Sequence, residues 1–241
     1  MLLLVLLQKM LKVNRINVKK FIPLFIILFV ILIDQVTKIY IKSHYQLSFG
    51  NSIVDWGLLK IEFVENPGMA FGFSFDNSWS KYLLSIFRFV AVLAIGWYIL
   101  KLIKHNANSF LIYLVSLIFA GAVGNIIDNL FYGLIFDTGT TWNEELGRWI
   151  GYHGVSEPNF DGYGSFLNGC VVDMFHLYIP LPDWVPFNFG EELFPPVFNL
   201  ADSSISVSVF LIIIFYKKIV RKSDIDLKLS LIHISEPTRQ A

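Results

Sequence analysis

Two aspartates stand in apolar surroundings: Asp173 in "CVVDMFHLYIP", and Asp202 near the start of "VFNLADSSISVSVFLIIIFYKK". An ionised carboxylate is costly to bury, so each needs a partner or a use. An apolar setting raises a carboxyl pKa, whereas the free N–H groups and dipole of a helix N-terminus favour the anion. Two carboxylates in such unlike environments can share one proton. One then acts as base on a water and the other as acid on a carbonyl oxygen, which is aspartic-protease chemistry. Asp202 can equally be a plain N-cap that needs no partner.

Further ionisable and amide groups fall in long apolar stretches. Asp34 and Lys38 are spaced i, i+4, so they share a helix face and can pair. Asn125 and Asp128 lie one turn apart in "GNIIDN". Asp128 is near a helix C-terminus, where a negative charge needs a donor; Asn129 and Lys38 are the candidates. At 1.5 Å per residue, Asp34 lies about 21 Å beyond Lys20, Asp202 about 22 Å beyond Lys217, and Asp128 about 28 Å beyond Ser109. In a hydrocarbon core about 30 Å thick, all three approach the same face.

The elements that must position these residues are membrane helices. The chain has 241 residues, 55% hydrophobic and only 16% charged, with a mean hydropathy of +0.59. That is too apolar for an ordinary soluble domain. Four stretches have spanning length: 21–41, 82–103, 109–133 and 197–218. The expected fold is a four-helix membrane α-helical protein. Lysine and arginine gather before the first span, between the second and third, and after the fourth. The positive-inside rule makes these regions cytoplasmic. Both termini are then inside, and the outer loops are about 42–81 and 134–196. The net formal charge is zero, so nothing draws the chain to nucleic acid. One cysteine, Cys170, excludes a disulfide framework within the chain and reads as a small buried residue. The histidines show no paired spacing for a metal.

The segment from Leu58 alternates like a strand, then turns at Asn66-Pro67-Gly68, after which a second short strand is expected. A small outer sheet of this kind could take an extended peptide by strand addition. The segment 134–169 reads as an ordered lid. Residues 1–20 are expected to form a cytoplasmic extension, with Met10 a possible true start, and 21–222 the membrane domain. Residues 223–241 form a tail, in which 229–241 resembles a translated sequencing adapter, so the native C-terminus is expected to be missing.

Taken in order, "DQVTK" (Asp34 to Lys38), "ENPGMAFG" (Glu65 to Gly72), "GNIIDN" (Gly124 to Asn129), "VVDMF" (Val171 to Phe175) and "FNLADSSI" (Phe198 to Ile205) resemble the motifs of the bacterial signal peptidase II family. The resemblance runs from about Phe21 to Ile219. It implies a membrane aspartyl endopeptidase with four spans and a small β-cradle on the outer face of the inner membrane. Such an enzyme cuts prolipoproteins just before the diacylglyceryl-cysteine, acts as a monomer among membrane lipids, and uses no cofactor or metal. Asp173 and Asp202 match the catalytic pair. Asp34, Lys38, Asn66, Gly68, Asn125, Asp128 and Asn199 match supporting positions.

Two departures stand out. Asn129 occupies a position where the family pattern commonly has arginine, so a cation there must come from elsewhere, with Lys38 and Arg148 as candidates. The segment 134–169 is longer than in compact members, and gating or substrate contact is the role it suggests. Rival readings are a proton-coupled transporter, a non-catalytic assembly factor, and a serine–lysine protease using Ser203 or Ser204 with Lys38.

Overall fold

The structure is a computed structural model, and it describes residues 2–68, 78–182 and 192–219. The described residues hold five α-helices: α1 (Leu2–His44), α2 (Ser78–Lys104), α3 (Ser109–Ile127), the short α4 (Gly133–Ile135) and α5 (Leu200–Ile219). Four are long and apolar enough to cross a membrane, at Phe21–His44, Lys81–Lys104, Ser109–Ile135 and Leu200–Ile219. These bounds lie within three residues of the predicted spans. Residues before 21 continue α1 as helix. Pro23 sits inside that helix and removes one backbone N–H near the start of the span.

Helix α3 is central. Half of its apolar window is buried, against 17% or less for each other span. It packs on α1, α2 and α5. Two glycines permit this closeness. A Cβ on Gly121 would enter the backbone carbonyl of Ala201, and one on Gly124 would lie 2.5 Å from Asp34 Oδ2. The outward faces carry Phe25, Phe29, Phe87, Val90, Phe210 and Ile213, all exposed, as expected of surfaces that meet lipid. One apolar cluster gathers Leu102, Leu111, Leu114, Val115 and Ile219 among the helices. A second, at the sheet end, gathers Ile41, Phe63, Tyr132, Phe136, Val172 and Met174.

The larger sheet has four antiparallel strands in the order β1-β2-β5-β6: β1 (Val54–Asp55), β2 (Leu59–Asn66), β5 (Val171–Leu177) and β6 (Val197–Phe198). The predicted strand from Leu58 is β2, and its partner is β5, the apolar run holding Asp173. Val64 pairs with Asp173 and Asn66 with Val171, after a bulge between Ile61 and Val64. The second strand expected beyond Gly68 falls at 69–77, outside the described residues.

The 134–169 segment contains a hairpin, β3 (Thr141–Asn143) and β4 (Arg148–Ile150). Its start is fastened to α1 and to the sheet. Lys42 of α1 and Glu65 of β2 form a buried ion pair. Lys42 also donates to the carbonyl of Thr138 at 2.9 Å, and Glu65 accepts the Thr140 N–H at 2.6 Å. The rings of Phe136, Tyr152 and Tyr163 surround the ammonium at 4.9–5.2 Å. Lys81 of α2 donates to the carbonyl of Asn168 at 2.6 Å and contacts Cys170 Sγ at 3.4 Å. Cys170 is fully buried, and that burial pushes its thiol up to about 11.

Candidate active site

Helix α5 opens with a reciprocal cap. Asn199 Oδ1 accepts the Asp202 N–H at 2.9 Å, and Asp202 Oδ2 accepts the Asn199 N–H at 3.3 Å. This is the capping-box arrangement, built from Asn and Asp. Asp202 is therefore held three residues inside the helix, where oriented N–H groups favour a negative charge. Its other oxygen accepts from Asn125 Nδ2 at 2.8 Å.

The second face of Asn199 reaches the sheet. Its Nδ2 donates to Asp173 Oδ1 at 2.7 Å, to Asn125 Oδ1 at 3.0 Å and to the Val172 carbonyl at 3.3 Å. Asn199 is fully buried. One amide thus ties together the two aspartates and Asn125. Asn66 also donates to Asp173. Its own Oδ1 accepts the Gly68 N–H at 2.9 Å, which closes the turn after β2. Gly68 has φ +118°, a conformation that favours glycine, and it abuts Leu84 of α2. Burial holds the Asp173 carboxyl well above the ordinary carboxylate range, and the Asp202 charge adds to this.

Beneath the pair lies a charged layer. Lys38 Nζ donates to Asp34 Oδ2 at 2.9 Å, Asp128 Oδ2 at 2.8 Å and Asn125 Oδ1 at 2.8 Å. Three partners use all three ammonium protons. Asp34 Oδ1 accepts the Ala201 N–H at 3.0 Å, so α1 also holds the first turn of α5. Asp128 begins a π-helical turn, Asp128–Tyr132, and its Oδ2 accepts the buried Val172 N–H at 3.3 Å. The Asp34–Lys38 pairing expected from spacing is present and extends to a third helix. The side-chain donors to Asp128 are Lys38 and Gln35. Asn129 is not among them: its Nδ2 donates to the Asn125 carbonyl at 2.8 Å.

All nine residues singled out in the sequence thus converge on one region. Strand addition beside Asp173 meets a constraint, because the Val172 N–H and carbonyl are taken by Asp128 and Asn199. The serine–lysine reading fails: Lys38 is committed, while Ser203 and Ser204 donate to the carbonyls of Asn199 and Ala201. Arg148, one of the two candidates to supply the missing cation, is exposed in the β3–β4 hairpin. Two site residues escaped the sequence reading. Gln35 donates to Asp128 at 2.9 Å, and Arg88 of α2 feels the charges of Asp202, Asp173 and Asp128. The stripe Lys81, Ser85, Arg88, spaced i, i+4, i+7, was the available signal.

A cavity of about 690 Å³ opens beside Asp173, lined by that residue with Asn66, Pro67, Leu193, Phe194 and Pro195. It is an apolar cleft with a carboxyl in its wall.

Fold and site together define a multi-pass membrane protein with two aspartates linked through Asn199, between its helices and a four-stranded sheet. Residues 26–218 match the family model described as signal peptidase (SPase) II. A lipoprotein signal peptidase of Porphyromonas gingivalis is 39% identical over 81% of this chain and 82% of its own. One from Amoebophilus asiaticus is 35% identical over 78% and 75%. A solved structure described as a bacterial membrane enzyme aligns with a TM-score of 0.49 at 25% identity, over 82% of this chain and 94% of that one. The chain belongs to the signal peptidase II family, and it is an aspartyl peptidase of the bacterial membrane.

Proposed function

We propose that this peptidase removes the signal peptides of lipid-modified prolipoproteins, cutting just before the diacylglyceryl-cysteine, with Asp173 and Asp202 as the catalytic pair. The observation that carries the assignment is the Asn199 hub: its buried side-chain amide donates to the Asp173 carboxyl and accepts the Asp202 N–H, while its backbone N–H donates to the Asp202 carboxyl. Asp202 starts as the anion, supported by the helix N-terminus and Asn125. Asp173 starts protonated, in keeping with its burial.

Asp202 takes a proton from water as the water oxygen attacks the scissile carbonyl carbon. Asp173 gives its proton to the carbonyl oxygen, forming a neutral gem-diol. Asp173, now ionised, takes a proton back from a gem-diol hydroxyl, and Asp202 passes its proton to the departing amine as the C–N bond breaks. The acyl product leaves as the signal peptide, and the cysteine keeps the new amine.

The apolar cleft suits an extended hydrophobic segment. The distribution of lysine and arginine supports cytoplasmic termini and a site near the outer face, where both water and the lipid-anchored bond are within reach. One chain supplies every site residue, so a monomer suffices. The transporter and assembly-factor readings have no observation in their favour.

The test is cleavage of a diacylglyceryl-modified prolipoprotein by purified protein in detergent. Asp173→Asn and Asp202→Asn should each abolish turnover while melting cooperatively. Turnover at the parent rate by either folded variant overturns the assignment.

A further inference from the structure

The site's charges do not balance through Lys38 alone. Four carboxylates meet there: Asp34 from α1, Asp128 from the end of α3, Asp173 from β5 and Asp202 from α5. Lys38 spends all three protons on Asp34, Asp128 and Asn125. The described hydrogen bonds to Asp173 and Asp202 then come from neutral amides and one backbone N–H. Even with one proton on Asp173, the cluster carries an excess of negative charge.

Arg88 is placed to answer it. It lies on the α2 face that also carries the buried Lys81 and Ser85, while its neighbours Ile86, Phe87, Phe89 and Val90 are exposed on the outward side. The charges acting on it are those of Asp202, Asp173 and Asp128. Its Nη1 is buried and has no hydrogen-bond partner among the described residues. A guanidinium kept in an apolar helix with an unused donor is set out for a ligand that carries an acceptor.

We propose that Arg88 is the second cation of this active site, a positioning residue that balances the Asp173–Asp202 pair and offers its free Nη1–H to a backbone carbonyl oxygen of the bound signal peptide. The proposal rests on the peptidase reading given above. It also explains how the site works without a cation at position 129, where Asn129 holds a buried Oδ1 that lacks a partner.

The test is steady-state cleavage of a diacylglyceryl-modified lipopeptide across pH by the detergent-purified full chain and its variants. Arg88→Met should lower kcat/KM about 100-fold. Its pH–rate profile should move to higher pH by about 1 unit, because losing a nearby positive charge makes carboxyls release protons less readily. Arg88→Lys should keep the parent profile, since the charge stays, but raise KM about 10-fold, since the forked donor is lost. Adding Asn129→Arg to Arg88→Met should recover at least about 10-fold of kcat/KM and return the profile towards the parent.

Should Arg88→Met fail to fold, Arg88→Lys decides alone through KM: a KM within threefold of the parent overturns the proposal. A folded Arg88→Met with parent kcat/KM and an unmoved profile overturns it and leaves the peptidase reading standing. An inactive parent overturns both.

Discussion

Asn199 offers a way to separate the geometry of the pair from the stability of the helix. Asn199→Asp keeps an oxygen to cap the Asp202 N–H. It removes the donor to Asp173, Asn125 and Val172, and it sets a third carboxyl against Asp173. Asn199→Ala removes cap and donor together. Losing an N-cap costs about 1 kcal/mol, and losing a buried donor to a carboxyl adds about 1–3 kcal/mol. Asn199→Ala should therefore lose about 2–4 kcal/mol, or roughly 5–15 °C in melting temperature for a chain of this size. Freeing Asp173 to rotate should cost a further factor of about 100–1,000 in turnover, equivalent to about 2.7–4 kcal/mol of barrier. Asn199→Asp should melt above Asn199→Ala yet cleave no faster. Cleavage of a fluorescent lipopeptide in detergent, beside thermal melts, reads both quantities. If Asn199→Asp cleaves within threefold of the parent, the amide is a cap alone and the hub argument is wrong.

Three other outcomes follow from the same contacts. Lys38→Met leaves Asp34 and Asp128 buried without their shared cation and should cost about 3–5 kcal/mol in a detergent melt. Gly124→Ala forces Asp34 from its place 2.5 Å from the new Cβ, so it should lose about 1–3 kcal/mol and part of its activity. His176 is gripped between Glu62 at 2.9 Å and Glu192 at 2.8 Å. Burial alone would lower its pKa, but the hydrogen bonds and charges of the two glutamates raise it above the ordinary imidazole value. The clamp's stability is then complete below about pH 6.5 and lost as pH rises through the higher native value. Exchange of the Leu193 amide, bonded to the Ile179 carbonyl, should accelerate across that window beyond its intrinsic rate, and His176→Gln should show no such excess.

What was legible in the sequence was mostly local. The spans follow from apolar length, and the Asp34–Lys38 pair from helical spacing. The strand at Leu59–Asn66 follows from alternation and the turn that ends it. Motif order suggested which distant residues would meet, but pattern alone did not give the connections between them. The pairing of β2 with β5 is a non-local choice, and the reach of Asn199 to both aspartates depends on it. Arg88 was hidden for a different reason. Helix α2 is apolar nearly all round, so its inward face is set by packing against α3 rather than by its own pattern. The anchor of the 134–169 segment was not legible, because Lys42 lies 92 residues before the start of the segment in the chain.

That anchor points to how the site is kept in register. Asp34, Lys38 and Lys42 recur every four residues and are all buried, so they form one polar stripe along α1. The lower two positions bind α3 and α5, through Asp128, Asn125 and the Ala201 N–H. The upper one binds β2 and the 134–169 segment, through Glu65 and Thr138. Glu65 is the immediate neighbour of Asn66, which donates to Asp173, and β2 pairs with β5 through Val64 and Asp173. Helix α1 therefore sets Asp202 from below and Asp173 from above. Each buried cation has its carboxylate in place, so neither end can slide by a turn without stranding a charge where no water can reach it. The same cost that makes ionisable residues rare in a membrane helix here fixes the sheet to the helices, and with it the spacing of the two aspartates.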